Sequence, residues 1–294
     1  MTTACRQYQV QCCSPTGLHR ISYLEWGSRD QPRVLLCVHG LTRSARDFDV
    51  LARALADRYR VICPDLPGRG DSDWLRDPME YQLPVYIGAL VTLIARLDVK
   101  AVDWVGTSLG GLIGMALAAL PDSPVKKLVL NDVGAVLGAA SLHRIGAYLQ
   151  QRPQLPTLEA AEAYIRVVYA PFGPHSDAEW RMLTESVVRR GTDGTFRLHY
   201  DPALAVPFTA KPPDADVELW SVYDAIRCPT LVLRGEHSDL LTRPTAQAMS
   251  ARGPRARVVE IANVGHAPTL LHEDQIGVLR EFLLESAPDA RTRQ

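Results

Sequence analysis

Two periods of apolar residues take turns along this chain. Strand-like apolar runs, most of them ending at glycine, histidine or aspartate, occur at 33–40 (RVLLCVHG), 60–66 (RVICPDL), 100–107 (KAVDWVGT), 126–134 (KKLVLNDVG), 228–237 (CPTLVLRGEH) and 256–266 (ARVVEIANVGH). A run that stays apolar throughout, as 33–40 does, predicts a strand buried on both faces. Helical spacing fills the intervals. In 44–57 it falls on Phe48, Leu51, Ala52 and Leu55, with Ser44 placed to cap the helix. Further helices are predicted near 84–97, 109–120, 244–252 and 273–285. Ahead of all these, 8–13 and 19–27 flank the turn SPTG and predict an antiparallel strand pair.

Repeated strand–helix alternation predicts an α/β fold, with a mostly parallel eight-stranded sheet flanked by helices. The alternation stops after residue 134. From about 138 to 220 the chain reads as helical segments broken by RPQLP, APFGP, DP and KPPD, without buried-strand runs. The predicted organisation is therefore a core made of 1–136 and 221–294, interrupted by a helical cap insertion at 137–220. The last residues, APDARTRQ, read as a frayed tail.

Charge and cysteine content narrow the functional classes. Thirty-two Lys and Arg against 33 Asp and Glu leave a net charge of −1, and no basic stretch is interleaved with aromatics. No nucleic-acid partner is expected. The six cysteines form no Cys-x-x-Cys and no zinc-type spacing; Cys37 and Cys63 sit inside strand runs and read as small buried hydrophobes. No apolar run approaches the ~18 residues of a membrane span, and the N-terminal stretch has no signal-peptide core. A soluble, reduced, cytoplasmic protein without metal or organic cofactor is the expectation; oligomeric state leaves no trace in the sequence.

The chemistry concentrates at three turns. Ser108, in VGTSLGG, falls where a predicted strand meets a predicted helix, a context in which flanking glycines permit a tight turn that projects the hydroxyl. Serine is a weak nucleophile by itself and needs a base, which in turn needs an orienting group. Of eight histidines, His266 in NVGHAPTL lies in a turn after the last predicted strand and is the candidate base. His39, at a strand end, reads as structural support for the following loop. For the orienting acid the leading candidate is Asp239, just past a strand in LRGEHSDLL, with Asp132 and Glu236 as competitors. The backbone N–H groups of Leu41 and Leu109 are placed to hold an oxyanion.

Together, VHGLTRSARDF (38–48), CPDLPGRGDSDW (63–74), VGTSLGGLIGM (105–115), LRGEHSDLL (233–241) and NVGHAPTL (263–270) resemble the α/β-hydrolase superfamily, in its capped, cofactor-free, esterase-like branch. The order nucleophile, acid, histidine is that family's order. The resemblance implies a serine hydrolase cleaving a small carboxylic ester through an acyl-enzyme, with C–C bond or lactone hydrolysis, acyl transfer and ligand reception as alternatives on the same fold. Two features depart from the usual pattern: four steps separate Gly235 from Asp239, and the oxyanion loop reads Leu-Thr-Arg. Arg43 either pairs with a substrate carboxylate or, more simply, lies on the surface at a helix start. Tyr164, Tyr169, Phe172 and Trp180, with Phe208 and Trp220, are the pocket candidates of the cap.

Overall fold

The computed structural model describes residues 5–211 and 214–285; the expected frayed tail, 287–294, lies outside them. An eight-stranded sheet organises the chain. Its strands are β1 (Arg6–Ser14), β2 (Gly17–Trp26), β3 (Val34–Val38), β4 (Arg60–Pro64), β5 (Val102–Thr107), β6 (Val125–Asn131), β7 (Thr230–Gly235) and β8 (Arg257–Ile261). They are ordered β1-β2-β4-β3-β5-β6-β7-β8. β1 and β2 pair antiparallel, as do β2 and β4, and every pairing from β4 across to β8 is parallel.

Why the central runs are apolar at every position follows from what covers the two faces. Leu36, Ile62, Trp104, Leu128, Leu130 and Val232 point into one buried cluster. Their neighbours Leu35, Cys37, Val61, Val105, Val129 and Leu233 point into a second cluster on the opposite face. Successive side chains alternate faces in a strand, so two covered faces require apolar residues throughout. Each such side chain contributes about 1.5–3 kcal/mol when fully buried. The helices doing the covering are α1 (Asp49–Leu55), α2 (Leu83–Arg96) and α3 (Leu109–Ala118), followed later by α9 (Arg243–Ala251) and α10 (Glu273–Leu284).

Ser44 does cap, but the first turn it starts is a 3₁₀ turn, Ala45–Phe48, which runs into α1; its hydroxyl accepts the Arg46 N–H. β8 ends at Ile261 rather than 266, leaving His266 in the loop that leads to α10.

Between β6 and β7 lie α4 (Ala139–Leu149), α5 (Leu158–Val168), α6 (Asp177–Glu185), α7 (Val206–Ala210) and α8 (Trp220–Ala225). The prediction of helical segments alone missed two short antiparallel ribbons in this block. One pairs Val188–Arg190 with Phe196–Leu198; the other pairs Val136–Leu137 with Val217–Glu218, joining the two ends of the block. Two- and three-residue strands are too short to show a period in the sequence. Leu155, Ala161, Ile165, Trp180, Leu183 and Val187 give the block an apolar cluster of its own. After β7 come α9 (Arg243–Ala251) and α10 (Glu273–Leu284). No helix among the described residues is long and apolar enough to cross a membrane.

Candidate active site

Ser108 occupies the single residue between β5 and α3, with φ 51° and ψ −113°. A non-glycine residue rarely holds that conformation, and it persists only where the surroundings enforce it. Two glycines make the turn sterically possible. A Cβ at Gly106 would lie 2.2 Å from the Gly110 carbonyl oxygen, and a Cβ at Gly110 would lie 2.0 Å from that of Val38. The Ser108 N–H donates to Asn131 O at 3.0 Å, tying the turn to β6.

His266 reaches this serine. Its Nε2 is 3.0 Å from Ser108 Oγ, and its Nδ1 is 2.7 Å from Asp132 Oδ2. A carboxylate at Nδ1 fixes the tautomer: Nδ1 carries the proton, and Nε2 is left to accept from the serine hydroxyl. The carboxylate that meets His266 is thus Asp132, where Asp239 was expected to stand. Asp132 is fully buried, immediately follows β6, and has φ 56°. Its Oδ1 accepts the Gly235 N–H at 2.8 Å, and its Oδ2 also accepts the Ser238 hydroxyl at 2.6 Å. Three donors on one carboxylate leave it no freedom to turn away from the histidine.

Asp239 is elsewhere. The extra step after Gly235 carries it to the rim, where its side chain is 58 % exposed and pairs with Arg144 at 2.8 Å. Glu236, the other competitor, accepts the Asn263 N–H at 2.9 Å.

The loop after β3 closes over the serine from the other side. A Cβ at Gly40 would sit 3.7 Å from Ser108 Cβ, an ordinary contact. His39 anchors this loop, as expected. It is fully buried, donates from Nδ1 to Gly40 O at 2.6 Å and accepts the Leu66 N–H at Nε2 at 3.0 Å. Burial, the largest influence on this ring, pushes its pKa down to about 3, so it stays neutral. The Leu41 carbonyl accepts from Arg69 Nε at 2.7 Å, which fixes the peptide that follows. Leu109 opens α3, so its N–H has no acceptor within the helix.

A cavity of about 470 Å³ opens over Ser108 and His266. Arg43, Tyr169 and Phe172 line it as expected, but Tyr164 and Trp180 do not. Trp180 is packed into the apolar cluster of the block, and Tyr164 stands against that cluster with its hydroxyl donating to Gln151 Oε1 at 3.2 Å. Phe208 and Trp220 also lie off the cavity: Phe208 packs against Gly146, and Trp220 stands edge-on to Tyr223. Sequence reading missed Thr42, Arg144, Ile145 and Tyr148 as lining residues. The last three share one side of α4, an amphipathic signal that does not distinguish a cavity from a core.

Arg43 is no surface residue. It is buried and bidentate to Asp47, at 2.8 and 2.6 Å, with a further bond to Ser186 Oγ at 3.1 Å. Its guanidinium lies over the Tyr169 ring, 4.8 Å from the centroid, and Tyr169 stacks on Phe172 at 4.8 Å. Burial opposes its charge, but Asp47 outweighs that and raises its pKa. Beside it the hydroxyls of Tyr148, Tyr169 and Thr42 form a chain, with spacings of 3.1 and 3.3 Å.

The sequence profile described as the alpha/beta hydrolase family matches residues 35–278. A 3-hydroxybutyrate-oligomer hydrolase of Cupriavidus necator is 51% identical over 280 residues, spanning 93% of this chain and 96% of that protein. Among solved structures, a protein of Rickettsia typhi superimposes with a TM-score of 0.89 at 34% identity, over 97% of this chain and all of that one. An alpha/beta hydrolase of Novosphingobium aromaticivorans superimposes at 0.84 with 36% identity, over 94% of this chain and 98% of that one. With that match over most of its length, and the eight-stranded sheet beneath it, the chain belongs to the alpha/beta hydrolase family.

Proposed function

We propose that the chain hydrolyses carboxylic esters of short hydroxy acids, using Ser108 as nucleophile, His266 as base and Asp132 as the orienting acid. The observation that carries this reading is the hydrogen-bonded line from Ser108 Oγ through His266 to Asp132 at the floor of the cavity. Ser108 Oγ attacks the ester carbonyl carbon as its proton passes to His266 Nε2. Asp132 stabilises the imidazolium through Nδ1–H. The N–H groups of Leu41 and Leu109 face the developing oxyanion, a contribution of about 3 kcal/mol per donor to the transition state. Collapse breaks the ester C–O bond, and His266 returns its proton to the departing alkoxide. Water then gives a proton to His266 and attacks the acyl-serine, and collapse releases the acid as His266 returns the proton to Ser108 Oγ.

Identity to the Cupriavidus necator hydrolase points to 3-hydroxybutyrate oligomers as the substrate class. A mostly apolar cavity with the Tyr148–Tyr169–Thr42 hydroxyls at one wall suits a short aliphatic chain bearing ester oxygens. Residues 137–220 act in this reading as the cap that supplies Tyr148 and Tyr169 to that wall. The test is release of 3-hydroxybutyrate from its dimer by wild-type chain and by Ser108→Ala, with folding checked by circular dichroism. Turnover in the wild type and its loss in the variant are expected; full activity in folded Ser108→Ala contradicts the mechanism.

A further inference from the structure

Two arginines line the cavity, and each already holds an aspartate, but the two pairs differ in kind. Arg43 and Asp47 are bidentate, with side chains 6% and 18% exposed, and Ser186 fixes the guanidinium further. Removing either partner would leave a charge stranded in a dry site, so this pair is a permanent strut. Arg144 and Asp239 approach to 2.8 Å, with side chains 56% and 58% exposed. An ion pair that wet is worth little, and either member can be exchanged for another ion at small cost.

We propose that Arg144 is a specificity residue that takes the free carboxylate of the substrate, and that Asp239 holds its place when the cavity is empty. The inference rests on the ester-hydrolase reading above, because an oligomer of a hydroxy acid ends in one carboxylate whatever its length. Three observations support the exchange. Both residues line the same cavity as Ser108, which sets a cation in the space that a bound ester would fill. Arg144 sits on α4 beside Ile145 and one turn before Tyr148, which gives the carboxylate an apolar and hydroxylated approach. The loop carrying Asp239 is docked independently of its carboxylate, since Ser141 Oγ donates to the Asp239 carbonyl at 3.2 Å. Asp239 can therefore swing aside without unseating the loop. Of the other ionisable groups nearby, His237 is an exposed lining residue, and Glu236 faces away to the Asn263 N–H.

The assignment predicts effects of opposite sign at the two positions. Binding of the 3-hydroxybutyrate dimer and of its methyl ester to chains carrying Ser108→Ala can be measured by titration calorimetry, which separates binding from turnover. Adding Arg144→Gln should weaken the free acid about tenfold and shift the methyl ester by less than about twofold. Adding Asp239→Asn should tighten the free acid about threefold, because its internal competitor is gone. Equal loss on both ligands in Arg144→Gln, unchanged or weaker acid binding in Asp239→Asn, or no preference for the acid in the parent chain would overturn the proposal. Failure of the parent wild-type chain to turn over either ester would instead count against the hydrolase reading, which the binding titrations do not touch.

Discussion

At the scale of single residues, environment separates groups that look alike in the sequence. Asp132 and Asp239 each follow a strand of the same sheet. One is sealed beneath His266 with three donors on its carboxylate, and the other stands in solvent against Arg144. Among the histidines the contrast is as sharp. His39, neutral down to about pH 3 in the folded chain, titrates near 6.5 once unfolded. Between those values the unfolded chain binds more protons, so His39 makes stability fall as pH drops from 6.5 towards 3. The slope is at most about 1.4 kcal/mol per pH unit. Asp65, whose carboxyl burial raises to about 6, works in the opposite sense between about 4 and 6. Urea unfolding of wild type minus that of His39→Gln, measured from pH 7 to pH 4, isolates the histidine. The difference should shrink as the medium is acidified; a constant difference would show that His39 is not held neutral.

At the scale of elements, the turn between β5 and α3 depends on close backbone approach rather than on side-chain packing. Gly110→Ala would place its methyl against the Val38 carbonyl and should cost about 3 kcal/mol or more in urea unfolding. Gly88, exposed within α2 with nothing inside 4 Å of its Cβ position, should do the reverse. Gly88→Ala is expected to stabilise by about 0.5–1 kcal/mol through helix propensity. Similar effects at the two sites would contradict the account of the turn. This turn was legible in the sequence because strand, glycines and helix are all local. So were the central strands, whose two covered faces demand continuous apolar runs. The carboxylate partner of His266 was not legible. Asp132 and Asp239 carry the same local signal, and which one reaches His266 depends on how the loops after β6 and β7 run in space. The four steps from Gly235 to Asp239 were the one local sign that the loop overshoots. Arg43 escaped for a related reason: its partners Ser186 and Tyr169 come from the block between β6 and β7, far along the chain.

At the scale of the molecule, the sheet brings the three turns together and the block from 137 to 220 walls the space above them. Pairing of Val136–Leu137 with Val217–Glu218 draws the ends of that block together. The core contributes Ser108, His266, the Leu41 loop and the loop carrying Asp239; α4 and the Tyr169–Phe172 stack line the cavity from the block. In the proposed reading the two aspartates, both on loops of the core, divide the work: Asp132 serves the chemistry and Asp239 the selectivity. The most direct test is the rate of acid release from saturating 3-hydroxybutyrate dimer, followed by pH-stat, in Asp132→Asn and Asp239→Asn. Asp132→Asn should slow kcat by roughly 10³–10⁴-fold, with Asp239→Asn within about threefold of wild type. A chain that keeps its rate without Asp132, or loses it without Asp239, would contradict the account.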